Sequence, residues 1–154
     1  MKFFARIVGV WLASLAVLSA QVTMELALDQ EQFLPGETLP VIVRITNRSG
    51  QTLNLGTDAD WLKFTVESRD VPIVVKNGEA PVQENIVLES AHTAIKRVDI
   101  APYFNLKNLG HYSVMASAVI RDWNRQITST SVGFHKCFTP RPPGGFQTTT
   151  RRGW

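Results

Sequence analysis

The chain has 154 residues, with 16 lysines and arginines, 13 aspartates and glutamates and one cysteine. Residues 21–134 alone hold 10 basic and 13 acidic residues in interspersed positions, and this mildly acidic balance excludes a nucleic-acid-binding footprint. A single cysteine excludes an intramolecular disulfide, so a chain of this length must fold by packing alone.

The first twenty residues have the pattern of a cleavable secretory signal peptide. Lys2 and Arg6 provide a basic start, residues 7–18 are an apolar stretch too short for a typical membrane span, and small residues lead to a predicted cleavage after Ala20. We therefore expect residues 1–20 to be a helical signal peptide and the mature chain to be secreted, periplasmic or at the cell surface. An uncleaved N-terminal anchor is the alternative, and it is the only membrane contact that the sequence predicts.

From position 22 onward, apolar and polar residues alternate with a period of two, which is typical of half-buried strands. Gly, Pro, Asn and Asp residues punctuate the pattern with turns. One helical turn is expected within residues 104–109. The predicted strands are 22–29, 39–46, 53–55, 62–67, 72–75, 85–88, 97–100, 112–120 and 126–134.

Such a series predicts an all-β chain, an antiparallel β-sandwich of seven to nine strands over residues 21–134. One local motif favours this fold: Leu106-x-x-x-Gly110-x-Tyr112 has the spacing of a tyrosine corner. In that device a tyrosine near the start of a late strand sends its hydroxyl back to upstream backbone.

The run from Phe33 to Asn47, FLPGETLPVIVRITN, carries a family resemblance together with the later tyrosine motif. It resembles bacterial extracytoplasmic immunoglobulin-like domains of the macroglobulin or fibronectin-III-like type. The resemblance implies an immunoglobulin-like fold without catalytic residues, and the disulfide of antibody domains is absent. A fainter similarity is to the intracellular proteinase inhibitor domain of bacilli, although the leader argues against that location.

Residues 135–154 lose the alternation and are rich in Pro, Gly and Thr, with four basic residues. Their composition predicts a disordered basic tail, because too little apolar surface is present to order it. One interpretation is a tail that contacts an anionic surface. The other is that the natural C-terminus has been altered, for example by a frameshift.

Polar candidate sites are sparse. His92, His111 and His135 are far apart in the sequence and fit no zinc or catalytic motif, so we expect neither an enzyme nor a cofactor. Asp58 and Asp60 lie in an oxygen-rich loop and are weak candidates for calcium binding, with a capped polar turn as the alternative.

Three aromatic residues at strand ends or in loops are candidates for ligand or partner contact: Trp61, Tyr103 and Trp123. Trp61 could instead be the core tryptophan of the sandwich. Asn47-Arg48-Ser49 fits a glycosylation sequon, with an ordinary turn asparagine as the alternative.

The sequence therefore predicts an exported, non-catalytic immunoglobulin-like module for protein–protein interaction or structural scaffolding. The alternatives are a carbohydrate-binding module that uses the three aromatic residues, and an exported protease inhibitor of similar fold.

Overall fold

The computed structural model describes residues 22–138, so the predicted signal peptide and most of the predicted tail lie outside the described residues. Two single 3-10 turns, Ala101–Tyr103 and Arg121–Trp123, flank the longest strand. The strands are β1 (Val22–Leu28), β2 (Gln32–Phe33), β3 (Pro40–Asn47), β4 (Leu53–Leu55), β5 (Leu62–Ser68), β6 (Ile86–Leu88), β7 (Thr93–Asp99), β8 (Gly110–Ile120), β9 (Arg125–Thr128) and β10 (Val132–Lys136).

Two sheets enclose the core. The first sheet has the order β1-β3-β7 and is antiparallel. The second sheet has the order β2-β10-β8-β5, with β9 also paired to β8, while β4 and β6 form a separate short ladder. This division of early and late strands is that of an immunoglobulin-type sandwich, and it confirms the all-β fold predicted from the alternation.

Inward-facing side chains from both sheets form one hydrophobic cluster. The longest predicted inward row, on β8, is buried throughout, and each fully buried large apolar side chain contributes roughly 1.5–3 kcal/mol. That row consists of Tyr112, Val114, Ala116, Ala118 and Ile120.

A β-bulge divides the strand predicted over residues 126–134. Thr128 is opposite Ser117 whereas Val132 is opposite Val114, so four steps along this strand match three steps along β8. Ser129 lies in the gap. Its N–H donates to the Ala116 carbonyl at 2.9 Å, and its hydroxyl accepts the Ala116 N–H at 3.0 Å. The hydroxyl takes the place of the carbonyl that a regular ladder would supply.

The last strand continues past the predicted domain boundary at Phe134. Lys136 is the final residue of β10, its side chain is 2% exposed, and its ammonium group donates to the Leu34 carbonyl at 3.0 Å. Burial lowers the pKa of this lysine, and the nearby carboxylates of Glu37 and Asp99 partly offset the effect. The predicted boundary at Phe134 is therefore two residues before the end of β10. Composition alone does not reveal that the Lys136 side chain is buried and hydrogen-bonded to the Leu34 carbonyl.

Two shorter elements also differ from the prediction. Residues 72–75 form no strand, and Ile73 and Val75 are exposed although they are apolar. The helical turn expected within 104–109 lies at Ala101–Tyr103 instead, where Pro102 fits the first turn of a helix.

The tyrosine motif is built as its spacing suggests. The Tyr112 hydroxyl donates to the Asn108 carbonyl at 2.8 Å, Leu106 is buried, and the Tyr112 ring stacks on Phe134. Gly110 has a φ of +135°, and a Cβ there would overlap the Asp70 carboxylate. Glycine is therefore needed at this position both for its backbone conformation and for the approach of Asp70.

Asn47, the sequon asparagine, is fully buried and connects three segments. Its amide group donates to the carbonyls of Gln51 and Leu88 at 2.7 and 3.0 Å. Its amide oxygen accepts from the N–H and the hydroxyl of Ser49. An amide with these partners inside the folded domain has the geometry of a structural turn asparagine.

We expect Asn47→Ala to lower the free energy of unfolding by about 2–3 kcal/mol, because it leaves buried hydrogen-bonding groups without partners. Denaturant unfolding followed by circular dichroism measures the change. The neighbouring exposed Arg48→Ala is the control and should stay within about 0.5 kcal/mol of the wild type. Equal stability of the two variants would contradict the structural role of Asn47.

We expect Tyr112→Phe to lower the free energy of unfolding by about 1 kcal/mol, since it removes one hydrogen bond and keeps the ring that stacks on Phe134. Tyr103→Phe is the matched control, because no hydrogen bond to the Tyr103 hydroxyl occurs within residues 22–138. Thermal unfolding of the two variants should separate them, and a similar loss in both would argue against the corner.

Candidate functional site

Trp61 is a core residue and is unavailable for ligand contact. Its side chain is 2% exposed, and its indole N–H donates to the Val82 carbonyl at 2.8 Å. The prediction that Trp61 contacts a ligand or partner is therefore wrong, and its alternative as the core tryptophan is the one that the structure shows. Through this hydrogen bond, Trp61 fixes the segment around Val82, which lies between β5 and β6.

Tyr103 and Trp123 lie at opposite ends of the molecule. Tyr103 precedes β8 and Trp123 follows it, and the 11 residues of β8 separate the two ends. At about 3.4 Å per residue that strand is about 35 Å long. Both rings are partly buried and packed against the core. The three aromatic residues therefore do not form one surface for a ligand.

The acidic loop pairs with neighbouring cations. Asp58 forms an ion pair with the Arg121 guanidinium, and Asp60 lies 4.0 Å from the Lys63 ammonium. Between Val22 and Phe138, no three His, Cys, Asp or Glu side chains converge in a group that could hold a metal ion. The loop therefore has the arrangement of a solvated, ion-paired turn.

An open trough of about 760 Å³ lies on the outer face of the second sheet. It crosses β8 and β10 near the beginning of β8. Its lining combines polar or small residues with the two aromatic residues Tyr112 and Phe134. The polar or small ones include Glu31, Arg69, His111, Ser113, Ser131, Gly133, His135 and Cys137. The trough thus offers imidazole, guanidinium, carboxylate and hydroxyl groups within one concave surface.

Gly133 gives the trough its depth. It lies opposite Ser113 in the β8–β10 register, so this part of the sheet face has only one small side chain. A Cβ added to Gly133 would meet a single neighbour, the Tyr112 carbonyl oxygen, at 3.8 Å. The absence of a side chain at Gly133 therefore leaves open space on this part of the sheet face.

Two histidines form one wall of the trough. His111 on β8 and His135 on β10 are direct cross-strand partners, and their ring centroids are 4.1 Å apart with the planes nearly perpendicular. In the sequence the two histidines are 24 positions apart and fit no zinc or catalytic motif. Only the register brings them together, since each lies on the outward phase of its strand.

Asp70 supports this wall from the turn after β5. Its carboxylate accepts the His111 backbone N–H at 2.6 Å, and the same oxygen lies 3.5 Å from Nδ1 of His111. The backbone hydrogen bond from His111 is the main reason that the pKa of the Asp70 carboxyl is lowered, and the two imidazoles add to this effect when protonated. Sequence reasoning missed Asp70, whose only signal is the glycine at 110 that makes room for it.

The side chains of the trough can donate and accept hydrogen bonds and carry charges of both signs. Ser113, Ser131 and both histidines share the trough, yet no hydrogen bond joins a histidine ring to a serine hydroxyl within residues 22–138.

No family model and no curated protein sequence matches this chain. Among solved structures, it is similar to a FixG-related protein from Vibrio parahaemolyticus, with a TM-score of 0.43 and 13% identity over 75% of this chain and 96% of that chain. In the described part of the chain, no helix has the length and apolar character to cross a membrane.

We expect Asp70→Asn to lower the melting temperature at neutral pH, with the difference shrinking in acid. A carboxyl with a lowered pKa in the folded state contributes stability above its ordinary value of 3.8 and loses that contribution as the pH falls through the lowered value. Thermal unfolding at pH 7 and pH 3 tests this. A difference that persists unchanged at pH 3 would show that the charge of Asp70 is not the cause.

Proposed function

We propose that this chain is an exported, non-catalytic immunoglobulin-like module, of the macroglobulin or fibronectin-III-like type, that binds a partner protein through the trough. The observation that carries the proposal is the trough itself, a concavity on the outer face of the second sheet where two histidines, two serines, an arginine and a glutamate lie together. Its occupant is an extended polar segment of the partner, because the lining supplies hydrogen-bond donors and acceptors from histidine, serine, arginine and glutamate side chains.

The edge of β5 is a less suitable place for a partner strand. The Trp61 carbonyl accepts from the Val119 N–H, and the Arg69 N–H donates to the His111 carbonyl. The backbone groups of odd-numbered residues here therefore face β8, and the Phe64 carbonyl faces the open edge. The Lys76 ammonium donates to that carbonyl at 3.3 Å. A lysine over an edge carbonyl blocks strand addition.

The edge of β7 has a similar device. Lys96 lies on the inward phase of this strand, and its ammonium forms an ion pair with Glu84. Inward-pointing charges on edge strands discourage pairing with another chain. Since the β5 and β7 edges are protected in this way, the sheet face favours partner binding more than either of these two edges does.

The carbohydrate alternative required three aromatic rings on one surface, and the burial of Trp61 and the separation of Tyr103 from Trp123 remove that support. No specific observation favours the protease-inhibitor alternative.

A photo-crosslinking residue at Ser113, introduced into the full chain in its native host, should capture one partner protein. The same probe at Thr23, on the outer face of the first sheet, is the control and should not capture that protein. Equal capture from the two faces would contradict binding at the trough.

Gly133→Leu then tests the trough with the purified partner. The Cβ meets only ordinary van der Waals contact, so the fold should persist while the new side chain fills the concavity. We expect affinity for the partner to fall at least about tenfold, which corresponds to about 1.4 kcal/mol. Thr23→Leu should bind as the wild type does. Unchanged affinity in a folded Gly133→Leu protein would overturn the proposal.

A further inference from the structure

We propose that His111 and His135 form a two-imidazole binding site for a divalent transition-metal ion of the Cu²⁺, Ni²⁺ and Zn²⁺ class. The inference stands without the proposed function, because it rests on the two histidines and the groups around them. It differs from the sequence prediction, which gave no metal site beyond the weak calcium candidates Asp58 and Asp60.

The distance between the rings suits a shared ion. Zinc–imidazole bonds are about 2.0–2.1 Å long, so two nitrogens on one tetrahedral ion lie about 3.4 Å apart. The ring centroids are 4.1 Å apart, so side-chain rotations that move the rings apart can bring one nitrogen of each to that spacing. Directly opposed residues on antiparallel strands have Cβ atoms about 4.5–5.5 Å apart, which keeps both rings within reach of one ion.

The backbone beneath the pair is fixed. The pairs Phe134–Tyr112 and Lys136–Gly110 flank the histidines in the same ladder, and β2 continues the sheet on the far side of β10. The rings of Tyr112 and Phe134 are stacked on the inner face. An ion would therefore bind to a preformed pair and would not have to bring two loops together.

Asp70 is placed to orient one of the ligands. Histidines that bind metals usually direct their other ring nitrogen to a carboxylate, a carbonyl or water, which fixes the tautomer. Asp70 lies 3.5 Å from Nδ1 of His111 and is itself held by the His111 backbone N–H. This arrangement favours a proton on Nδ1 and leaves Nε2 of His111 for the ion.

The neighbouring groups define which ions fit. Imidazole ligands suit copper, nickel and zinc, and copper binds most tightly in the usual order of divalent ions. Glu31 favours a cation in the trough, while Arg69 opposes one. Since no third His, Cys, Asp or Glu converges on the pair among the described residues, water or a donor from a partner would complete the coordination.

Titration calorimetry of the purified protein with CuCl₂, NiCl₂ and ZnCl₂ tests the site. We expect one ion per chain and tighter binding of Cu²⁺ than of the other two ions. The electron paramagnetic resonance spectrum of the copper complex should show coupling to two equivalent imidazole nitrogens. The absence of binding, or a spectrum without nitrogen coupling, would overturn the inference.

Three variants assign the ligands. His111→Gln and His135→Gln should each weaken Cu²⁺ binding at least about tenfold, or about 1.4 kcal/mol. His92→Gln is the matched control, since His92 is an exposed histidine near Glu89 and away from the trough, and it should bind as the wild type does. A comparable loss in His92→Gln would show that binding is not at this pair.

Cys137→Ser separates an imidazole site from a thiolate site, because Cys137 lines the same trough. We expect this variant to keep its copper affinity and its nitrogen coupling. Loss of binding in Cys137→Ser would overturn the two-imidazole assignment. Melting temperatures of all four variants verify that each is folded when its affinity is measured.

Discussion

The one-residue bulge between β9 and β10 sets the faces of the second sheet. Side chains alternate along a strand, so a shift of one residue moves every side chain beyond it to the other face. With the bulge, Phe134 lies opposite Tyr112 and enters the core, while His135 lies opposite His111 on the outer face. If the register of β9 continued, position 133 would lie opposite Tyr112, so a glycine would replace Phe134 in the core. The stacking of Tyr112, the trough and the histidine pair all depend on this single extra residue.

The sequence predicts those structural features whose pattern is visible in neighbouring residues. The alternation of apolar and polar residues predicts β1, β3 and β8 well, because every second residue of these strands is buried. The tyrosine spacing is also local and predicts which residues meet. The all-β sandwich follows from these features together.

The remaining features depend on contacts between distant residues. The residues around the bulge at Ser129 have no distinctive composition. From the sequence alone, Lys136 belongs to a basic tail, and only the folded structure shows its hydrogen bond to the Leu34 carbonyl next to β2. Residues 72–75 lack a regular alternation of apolar and polar residues. Their apolar side chains predicted a strand, but the segment does not pair with a sheet. The trough was not predicted, since it needs the register of β8 and β10 to bring His111, His135 and Gly133 onto one surface.

Several buried polar contacts hold the loops of this disulfide-free domain. Asn47 connects the turn after β3 to β6, Trp61 ties β5 to the segment at Val82, and Tyr112 secures the turn before β8. Each contact satisfies a polar group that would be costly to bury alone, and each joins segments that chain entropy would otherwise separate. The buried side chains with polar atoms in the described region all have hydrogen-bond partners.

The parallel pairing of β2 with β10 has a consequence for the order of folding. The Lys136–Leu34 hydrogen bond spans 102 residues, and the backbone bonds from His135 to Glu31 and from Cys137 to Phe33 close loops of nearly the same size. Contacts of such high sequence separation form slowly, because loop closure must precede them. A chain synthesised from its N-terminus presents Gln32 and Phe33 long before β10 exists. We therefore expect β2 to pair with β10 after the shorter-range pairing of β10 with β8, and until then the outer edge of β10 remains open to other strands.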